Sequence, residues 1–290
     1  MANLKEIRVR ITSVNSTMQI TSAMKMVSAA KLKRAQDAIT RMRPYAEKLR
    51  EILSNVSSSL SGNENKFSRQ REVKNVLIVA ITSNRGLCGG FNNNVIKEIR
   101  SSIKNNYAGA NVKILSLGKK AYDFYKRTGD TSAEGFGDTP YAIFDHLSFE
   151  KTSVIANEIM DQFMDGKWDK VVLVYNRFKN AAVQQLMNEQ FLPVLPPESS
   201  DNSSRDYIFE PDKEQILEEL IPSSLKIQLF KALLDSNAAE HGARMTAMHK
   251  ATDNAGDLVK ELKLNYNKAR QAAITGEILE IVAGAEALKG

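Results

Sequence analysis

Apolar residues recur at alternating steps of three and four along the first sixty positions of the chain. Starting at Leu4, fourteen of the seventeen positions with this spacing are apolar, which is the heptad pattern of a coiled coil. The polar exceptions are consecutive, and an apolar stripe displaced by about one residue lies beside them. The pattern therefore predicts one helix over about 4–56 whose apolar seam rotates near Met24. The exceptions are Thr21, Lys25 and Ser28, and the displaced stripe is Ile20, Ala23, Met24 and Val27.

The last third of the chain has the same periodicity. From Ala238 onward, nine of twelve positions at heptad spacing are apolar, which predicts a second helix over about 213–286. Each predicted helix contains one proline, Pro44 in the first and Pro222 in the second. Because proline removes a backbone donor and strains the preceding turn, we expect a kink or a short break at both positions.

The middle of the chain alternates between strand and helix patterns. A parallel sheet is expected, because strands and helices alternate at its start. The predicted strands are 76–82, 112–117, 170–177 and 182–194, and the predicted helices are 93–105, 119–127 and 148–164. The fold class is therefore α/β, with a Rossmann-like domain over 70–211 and an antiparallel coiled coil formed by 1–60 and 212–290.

The positive charge of the chain is concentrated at its start. Residues 1–55 carry eleven basic and four acidic side chains, a balance of +7, whereas the whole chain has a formal charge of +6. This segment is either a solvated helix face or a surface for nucleic acid, anionic lipid or an acidic protein. Aromatic residues are not interleaved with its basic residues, which weakens the nucleic-acid interpretation.

A glycine-rich segment, residues 85–92, follows the first predicted strand and precedes a helix, where a phosphate-binding loop belongs. Its spacing fits neither GxGxxG nor GxxxxGK[ST], so it is either a structural tight turn or an atypical nucleotide site. Cys88 lies within it and is the only cysteine, which excludes an intramolecular disulfide. No metal-binding or catalytic motif is apparent, and no cofactor, metal site or catalytic residue is predicted.

The segment 278–288 is apolar on nearly every face of a helix, although a two-helix coil buries only one stripe. Either a partner surrounds it or it folds back onto the α/β domain. No apolar run approaches the ~20 residues that span a bilayer, so neither a transmembrane helix nor a secretory signal is expected.

Four sequence blocks, found in this order, resemble the gamma subunit family of F-type ATP synthase over essentially the whole chain. The first two are residues 20–27 (ITSAMKMV) and 83–92 (SNRGLCGGFN). The other two are residues 244–254, which begin RMTAM and end ATDN, and residues 266–278, which begin YNKARQAAIT.

The resemblance implies a non-catalytic central-stalk rotor. In this family the coil stands inside a hexamer of alpha and beta subunits, and the α/β domain binds the epsilon subunit and the c-ring. Proton flow turns the ring, and the rotor drives the beta subunits, which carry the ATP chemistry, through their conformations.

The resemblance also implies contact residues. Those matching beta-subunit contacts of the family are Met24, Lys25, Arg244, Arg270, Gln271, Thr275 and Glu277. Tyr207 and Glu210 match the segment that lies on the c-ring and epsilon subunit. No transit peptide precedes Met1 and the cysteine-bearing insertion of chloroplast forms is absent, so a peripheral protein on the cytoplasmic face of a bacterial inner membrane is expected.

Two other classes of function remain open at this point. One is an α/β enzyme with a coiled-coil arm that binds a nucleotide at the glycine-rich segment. The other is a nucleic-acid binder that uses its basic first helix.

Overall fold

The computed structural model describes residues 4–57, 66–131, 135–137, 139–194 and 213–288. Helices and strands alternate between two very long helices. In chain order the elements are α1 (Leu4–Ser57), β1 (Asn75–Ile81), α2 (Phe91–Asn106), β2 (Asn111–Leu117), α3 (Lys119–Tyr125), a 3-10 helix (Pro140–His146), α4 (Phe149–Met164), β3 (Lys170–Phe178), β4 (Gln184–Leu192) and α5 (Lys213–Ala287).

Both long helices pass through their prolines. Pro44 lies inside α1 and Pro222 inside α5, so the prediction of a break at either position is wrong, whereas a kink stays a prediction. A proline inside a helix costs about 3 kcal/mol, whereas each large apolar side chain that is buried contributes about 1.5–3 kcal/mol. Leu49 near the first proline and Leu225 near the second are buried, and packing of this kind can hold the helix intact.

The chain divides into two compact units. The first consists of Met1–Ser28 and Met245–Gly290, and the second of Ala29–Arg244. The second unit therefore includes parts of α1 and α5 together with the sheet. The partition predicted from sequence, with boundaries near residues 60 and 212, stays a prediction.

The first unit is an antiparallel pair of helical segments. Arg8 Nη2 donates to the Tyr266 hydroxyl at 2.7 Å, the Thr21 and Thr252 hydroxyls are 2.8 Å apart, and Lys25 Nζ lies 3.5 Å from His249 Nδ1. As the residue number rises along α1, the number of its partner on α5 falls. The predicted antiparallel coiled coil is confirmed.

The seam of this coil does not rotate near Met24, so that prediction is wrong. Thr21 and Ser28 remain buried at their heptad positions, while Ile20 and Val27 of the displaced stripe are exposed. Small hydroxyl residues fit the seam because the helix backbone satisfies them: Thr21 Oγ1 donates to the Met18 carbonyl and Ser28 Oγ to the Met24 carbonyl. Lys25 lies between them on the same seam and is half-buried.

The second unit is built on a four-stranded sheet with the order β2-β1-β3-β4. β1 pairs in parallel with β2 and with β3, and β4 adds to β3 in the antiparallel direction. The mostly parallel sheet predicted from the alternation of strands and helices is therefore confirmed.

Successive residues of β1 point to opposite faces of this sheet, as strand geometry requires. Leu77, Val79 and Ile81 join the core formed with α4 and with the 221–233 part of α5. Val76, Ile78 and Ala80 join the core formed with α2 and α3. The sheet thus lies between two helical layers, and α5 supplies part of one of them.

Gly276 occupies an open position inside α5. A Cβ atom added there would meet no atom within 4 Å. Since glycine in a helix interior is less favourable than alanine by about 0.5–1 kcal/mol, we expect Gly276→Ala to stabilise the first unit by about that amount. Thermal unfolding followed by circular dichroism would measure it, and an unchanged or lower melting temperature would contradict it.

Gly118, which precedes α3, supplies the opposite control. Its φ is 132° and an added Cβ would overlap the Thr82 carbonyl group. Gly118→Ala should therefore destabilise the second unit.

Candidate functional site

Met24 and Lys25, the predicted beta-subunit contacts on α1, are both half-buried. Lys25 Nζ lies 3.5 Å from His249 Nδ1. His249 Nδ1 in turn lies 3.5 Å from Asp253 Oδ2. Lys25 is therefore engaged across the coil, which the sequence pattern alone did not indicate.

The late part of α5 presents an exposed polar surface. Arg270, Gln271, Thr275 and Glu277 are all exposed. Helical geometry places Gln271 and Thr275 on one face, because they are four residues apart, and Arg270 and Glu277 two turns apart on another. These side chains are accessible to a partner from two directions.

The apolar end of α5 is also exposed. Ile281 is 71% exposed and Leu288 is 89% exposed, and Ile278, Leu279 and Val282 are each about half exposed or more. Contiguous exposed apolar surface on a protein marks an interaction site or a liability to aggregate.

Arg244 differs from the other predicted contacts, because only 8% of it is exposed. Its Nη1 bonds the Glu240 carboxylate one helical turn earlier, and its Nη2 donates to the carbonyl oxygens of Arg85 and Gly86 at 3.1 and 3.2 Å. The guanidinium group thus joins α5 to the glycine-rich segment.

The glycine-rich segment forms a tight turn at the carboxyl end of β1. Leu87 has a φ of 63° and Gly89 a φ of 59°, and Leu87 is exposed. A phosphate site needs backbone N–H donors directed at the ligand. Two backbone carbonyl groups of this turn instead face the Arg244 cation, which favours the structural interpretation.

The crevice beside this turn is filled by the chain itself. In open α/β sheets, ligands bind outside the carboxyl ends of the strands, where the strand order reverses. Here Cys88 and Phe91 pack against Ala239 and Ala243 of α5, with Phe178 at the edge of the cluster. The C-terminal helix therefore occupies space that a nucleotide would need.

Cys88 lacks the environment of a nucleophile. Its thiol is buried, and burial raises its pKa despite the hydrogen bond with Ser83 and the positive charge of Arg244. Asn92 Nδ2 donates to its sulfur at 3.2 Å. Since the thiolate is the reactive form, burial and a raised pKa both disfavour a role as nucleophile in the folded chain.

Within the described residues, no group of three or more His, Cys, Asp or Glu side chains could hold a metal ion. Over the same residues, no helix is long and apolar enough to cross a membrane. Tyr207 and Glu210, the predicted contacts of the c-ring and epsilon subunit, lie outside the described residues.

His241 gives the second unit a dependence on pH. Burial, and then the positive charges of Arg244 and Lys31, lower its pKa to about 4, and its Nδ1 atom is buried without a hydrogen-bond partner. Between pH 6.5 and 4 the unfolded chain binds a proton that the folded chain excludes, so acid should destabilise the fold.

We expect His241→Gln to remove about 1–2 kcal/mol of the stability difference between pH 7 and pH 5, allowing for partial solvent screening. Urea unfolding of both proteins at the two pH values measures this difference. Burial raises the pKa values of Asp235 and Glu240, so their effect on the pH dependence of stability is opposite to that of His241. Both proteins contain these two carboxyl groups, so the comparison cancels their contributions. Equal pH dependence in the two proteins would contradict the assignment.

Comparison with known proteins identifies the family. A family model described as ATP synthase matches residues 3–288. The ATP synthase gamma chain of Flavobacterium johnsoniae is 62% identical and that of Christiangramia forsetii 60% identical, each over 100% of both chains. The chain belongs to the ATP synthase gamma-chain family. A gamma chain is a central-stalk subunit, and catalysis lies on the beta subunits, so the predicted family and the predicted non-catalytic role are both confirmed.

Solved structures agree with this family. A chain from the central stalk and c-ring of Tetrahymena thermophila mitochondrial ATP synthase is 26% identical, with a TM-score of 0.56, and the match covers 80% of this chain and 99% of that chain. A chain from the rotor of the Euglena gracilis enzyme has a TM-score of 0.65 at 22% identity, covering 93% and 98%, and shows that the fold is shared.

Proposed function

We propose that this gamma chain is the rotor of a proton-translocating F1Fo ATP synthase and couples rotation of the c-ring to conformational change in the catalytic beta subunits. The observation that carries the proposal is the full-length identity of 60–62% to ATP synthase gamma chains. The exposed apolar end of α5 supports it, because a rotor whose tip lies inside a ring of subunits needs such a surface.

The partners proposed are the alpha and beta subunits of the hexamer, the epsilon subunit and the c-ring. Through the c-ring the chain would lie at the cytoplasmic face of the bacterial inner membrane as a peripheral protein. The likeness to rotor and central-stalk chains supports this assignment of partners.

The proposed beta-subunit contacts lie in two places. Met24 and Lys25 form the first on α1, and residues 270–277 form the second on α5. Exposure of Arg270, Gln271, Thr275 and Glu277 supports the second, because each can reach a partner without unfolding the helix. Tyr207 and Glu210 remain the proposed contacts of the c-ring and epsilon subunit. Arg244, also predicted to touch a beta subunit, is mostly buried, and that contact stays a prediction.

Arg270→Ala tests the second contact. Arginine offers a bidentate, permanently charged donor, and a hydrogen bond to a charged group contributes about 1.5–3 kcal/mol. We expect this variant to lower the steady-state ATPase activity and proton pumping of the reconstituted complex more than Thr275→Ala does. Fold and yield of the isolated chain should not change, because Arg270 is exposed.

Co-purification provides the broader test. A tagged chain expressed together with the alpha, beta and epsilon subunits should retain them, with ATPase activity in the complex. Recovery of the chain without these subunits would contradict the rotor proposal. Wild-type ATPase activity and proton pumping in Arg270→Ala would contradict the proposed beta-subunit contact at residues 270–277. Stoichiometric binding of ATP by the isolated chain would instead favour the nucleotide-enzyme alternative.

A further inference from the structure

The Arg244 guanidinium group lies inside the protein. Its residue is 8% exposed, and so is its partner Glu240 on the preceding turn of α5. Its Nη1 and Nη2 atoms have acceptors within the chain, namely the Glu240 carboxylate and the carbonyl oxygens of Arg85 and Gly86. The positive charge is therefore satisfied without a partner subunit.

The turn that Arg244 contacts is also held by hydrogen bonds that do not involve α5. Ser83 Oγ donates to the Arg85 carbonyl at 2.6 Å, and the Ser83 backbone N–H donates to Asn92 Oδ1 at 3.0 Å. Asn176 Nδ2 of β3 donates to the Phe91 carbonyl at 3.1 Å. These bonds attach the base of the turn to the sheet.

The hydrogen bonds from Arg244 are the polar contacts described above that join this turn to the C-terminal helix. The apolar contact between the turn and α5 includes a small cluster with the alanines Ala239 and Ala243, whose side chains bury little area. An apolar cluster of this size resists separation but does not specify orientation. A planar guanidinium group with fixed donor directions does specify it.

We propose that Arg244 is a positioning residue: its guanidinium group, held by Glu240, fixes the glycine-rich turn against α5 and thereby keeps Leu87 at the tip of the turn in a single, strained orientation. A leucine with φ near +63° is uncommon and persists only where its surroundings hold it. Substitution of Arg244 would then affect rotor function through the turn. This last step rests on the proposed function.

The single cysteine of the chain is a native probe of this arrangement. Cys88 is 2% exposed and lies in the turn, so a thiol reagent can react with it only after the turn separates from α5. We expect Arg244→Ala to raise the reaction rate of Cys88 with Ellman's reagent by about tenfold or more under native conditions, since hydrogen bonds to a charged group are lost.

Two variants separate geometry from charge. Arg244→Lys keeps the charge but offers one ammonium group instead of two forked nitrogens, so its rate should lie between wild type and Arg244→Ala. Glu240→Gln keeps an acceptor for Arg244 but removes its counter-ion, so we expect a rate above wild type and below that of Arg244→Ala. Arg270→Ala, far along α5, should leave the rate unchanged.

A general loss of stability could also expose Cys88, so a matched control is required. Ile159→Ala removes a fully buried side chain from the core on the other side of the sheet. It should lower the melting temperature yet leave native-state Cys88 reactivity near wild type. A wild-type rate in Arg244→Ala, or an equal rise in Ile159→Ala, would overturn the proposal.

The same variants connect the turn to function. In the reconstituted complex, Arg244→Ala should reduce protons pumped per ATP hydrolysed, with Arg244→Lys restoring part of that ratio. An unchanged ratio in Arg244→Ala would overturn the functional step alone. Thiol reactivity is measured on the isolated chain, so its outcome does not depend on whether the rotor assignment holds.

Discussion

Glu240→Ala is expected to lower the free energy of unfolding by about 3–5 kcal/mol, because it leaves the Arg244 cation buried without its counter-ion. Both residues are 8% exposed, so water can replace the lost carboxylate only if the helix or the glycine-rich turn moves. Urea unfolding of the purified chain, followed by circular dichroism, measures the change.

The matched control is the double variant Glu240→Leu with Arg244→Met. Burying the pair costs desolvation, and burial is the dominant reason that the pKa of Glu240 is raised despite the adjacent arginine. Replacing both charges should therefore destabilise the protein by clearly less than Glu240→Ala does, although the two turn carbonyls lose their donor. A loss below about 1 kcal/mol in Glu240→Ala would show that the pair is solvated in solution.

Replacing the exposed apolar side chains near the end of α5 is expected to have the largest effect on assembly. Burial of each would contribute about 1.5–3 kcal/mol to association, so losing half of the total, about 3–6 kcal/mol, corresponds to roughly a hundredfold to ten-thousandfold in affinity. We expect the fourfold glutamine variant to fail to form an active complex. The residues changed are Ile278, Leu279, Ile281 and Val282, each between 49% and 71% exposed.

The isolated chain supplies a second measurement for the same variant. Wild type should self-associate through this apolar end, whereas the glutamine variant should sediment as a monomer. Lys263→Gln, an exposed polar change on the same helix, should behave as wild type in both assays. A monomeric wild-type chain with no dye-accessible apolar surface, or full activity in the fourfold variant, would contradict the interpretation.

Much of this fold follows from periodicity alone. The heptad positions from Leu4 to Leu49 are buried or half-buried in the structure, and the four strands predicted within the described residues are present, each within two residues at either end. Periodicity succeeds here because long helices and buried strands are determined by which positions lose contact with water.

The errors arose where local chemistry and tertiary packing decide the outcome. The polar run at Thr21 and Ser28 looked like a shifted seam, because a sequence does not show that a hydroxyl can bond its own helix backbone. Glu240 and Arg244 are four residues apart on one helix, and the structure shows that they form an ion pair. The acceptors of Arg244 at residues 85 and 86 are about 160 positions away, where no local pattern can indicate them.

The hydroxyl pair between Thr21 and Thr252 also determines which alignment of the two helices is allowed. A slip of one heptad would place Thr21 opposite Met245 or Val259, neither of which can hydrogen-bond to a hydroxyl as threonine does. The apolar positions around it would tolerate such a slip, since one aliphatic layer resembles the next. This pair therefore favours one register in a repetitive seam, and we expect a coil subjected to torsion to return to that alignment.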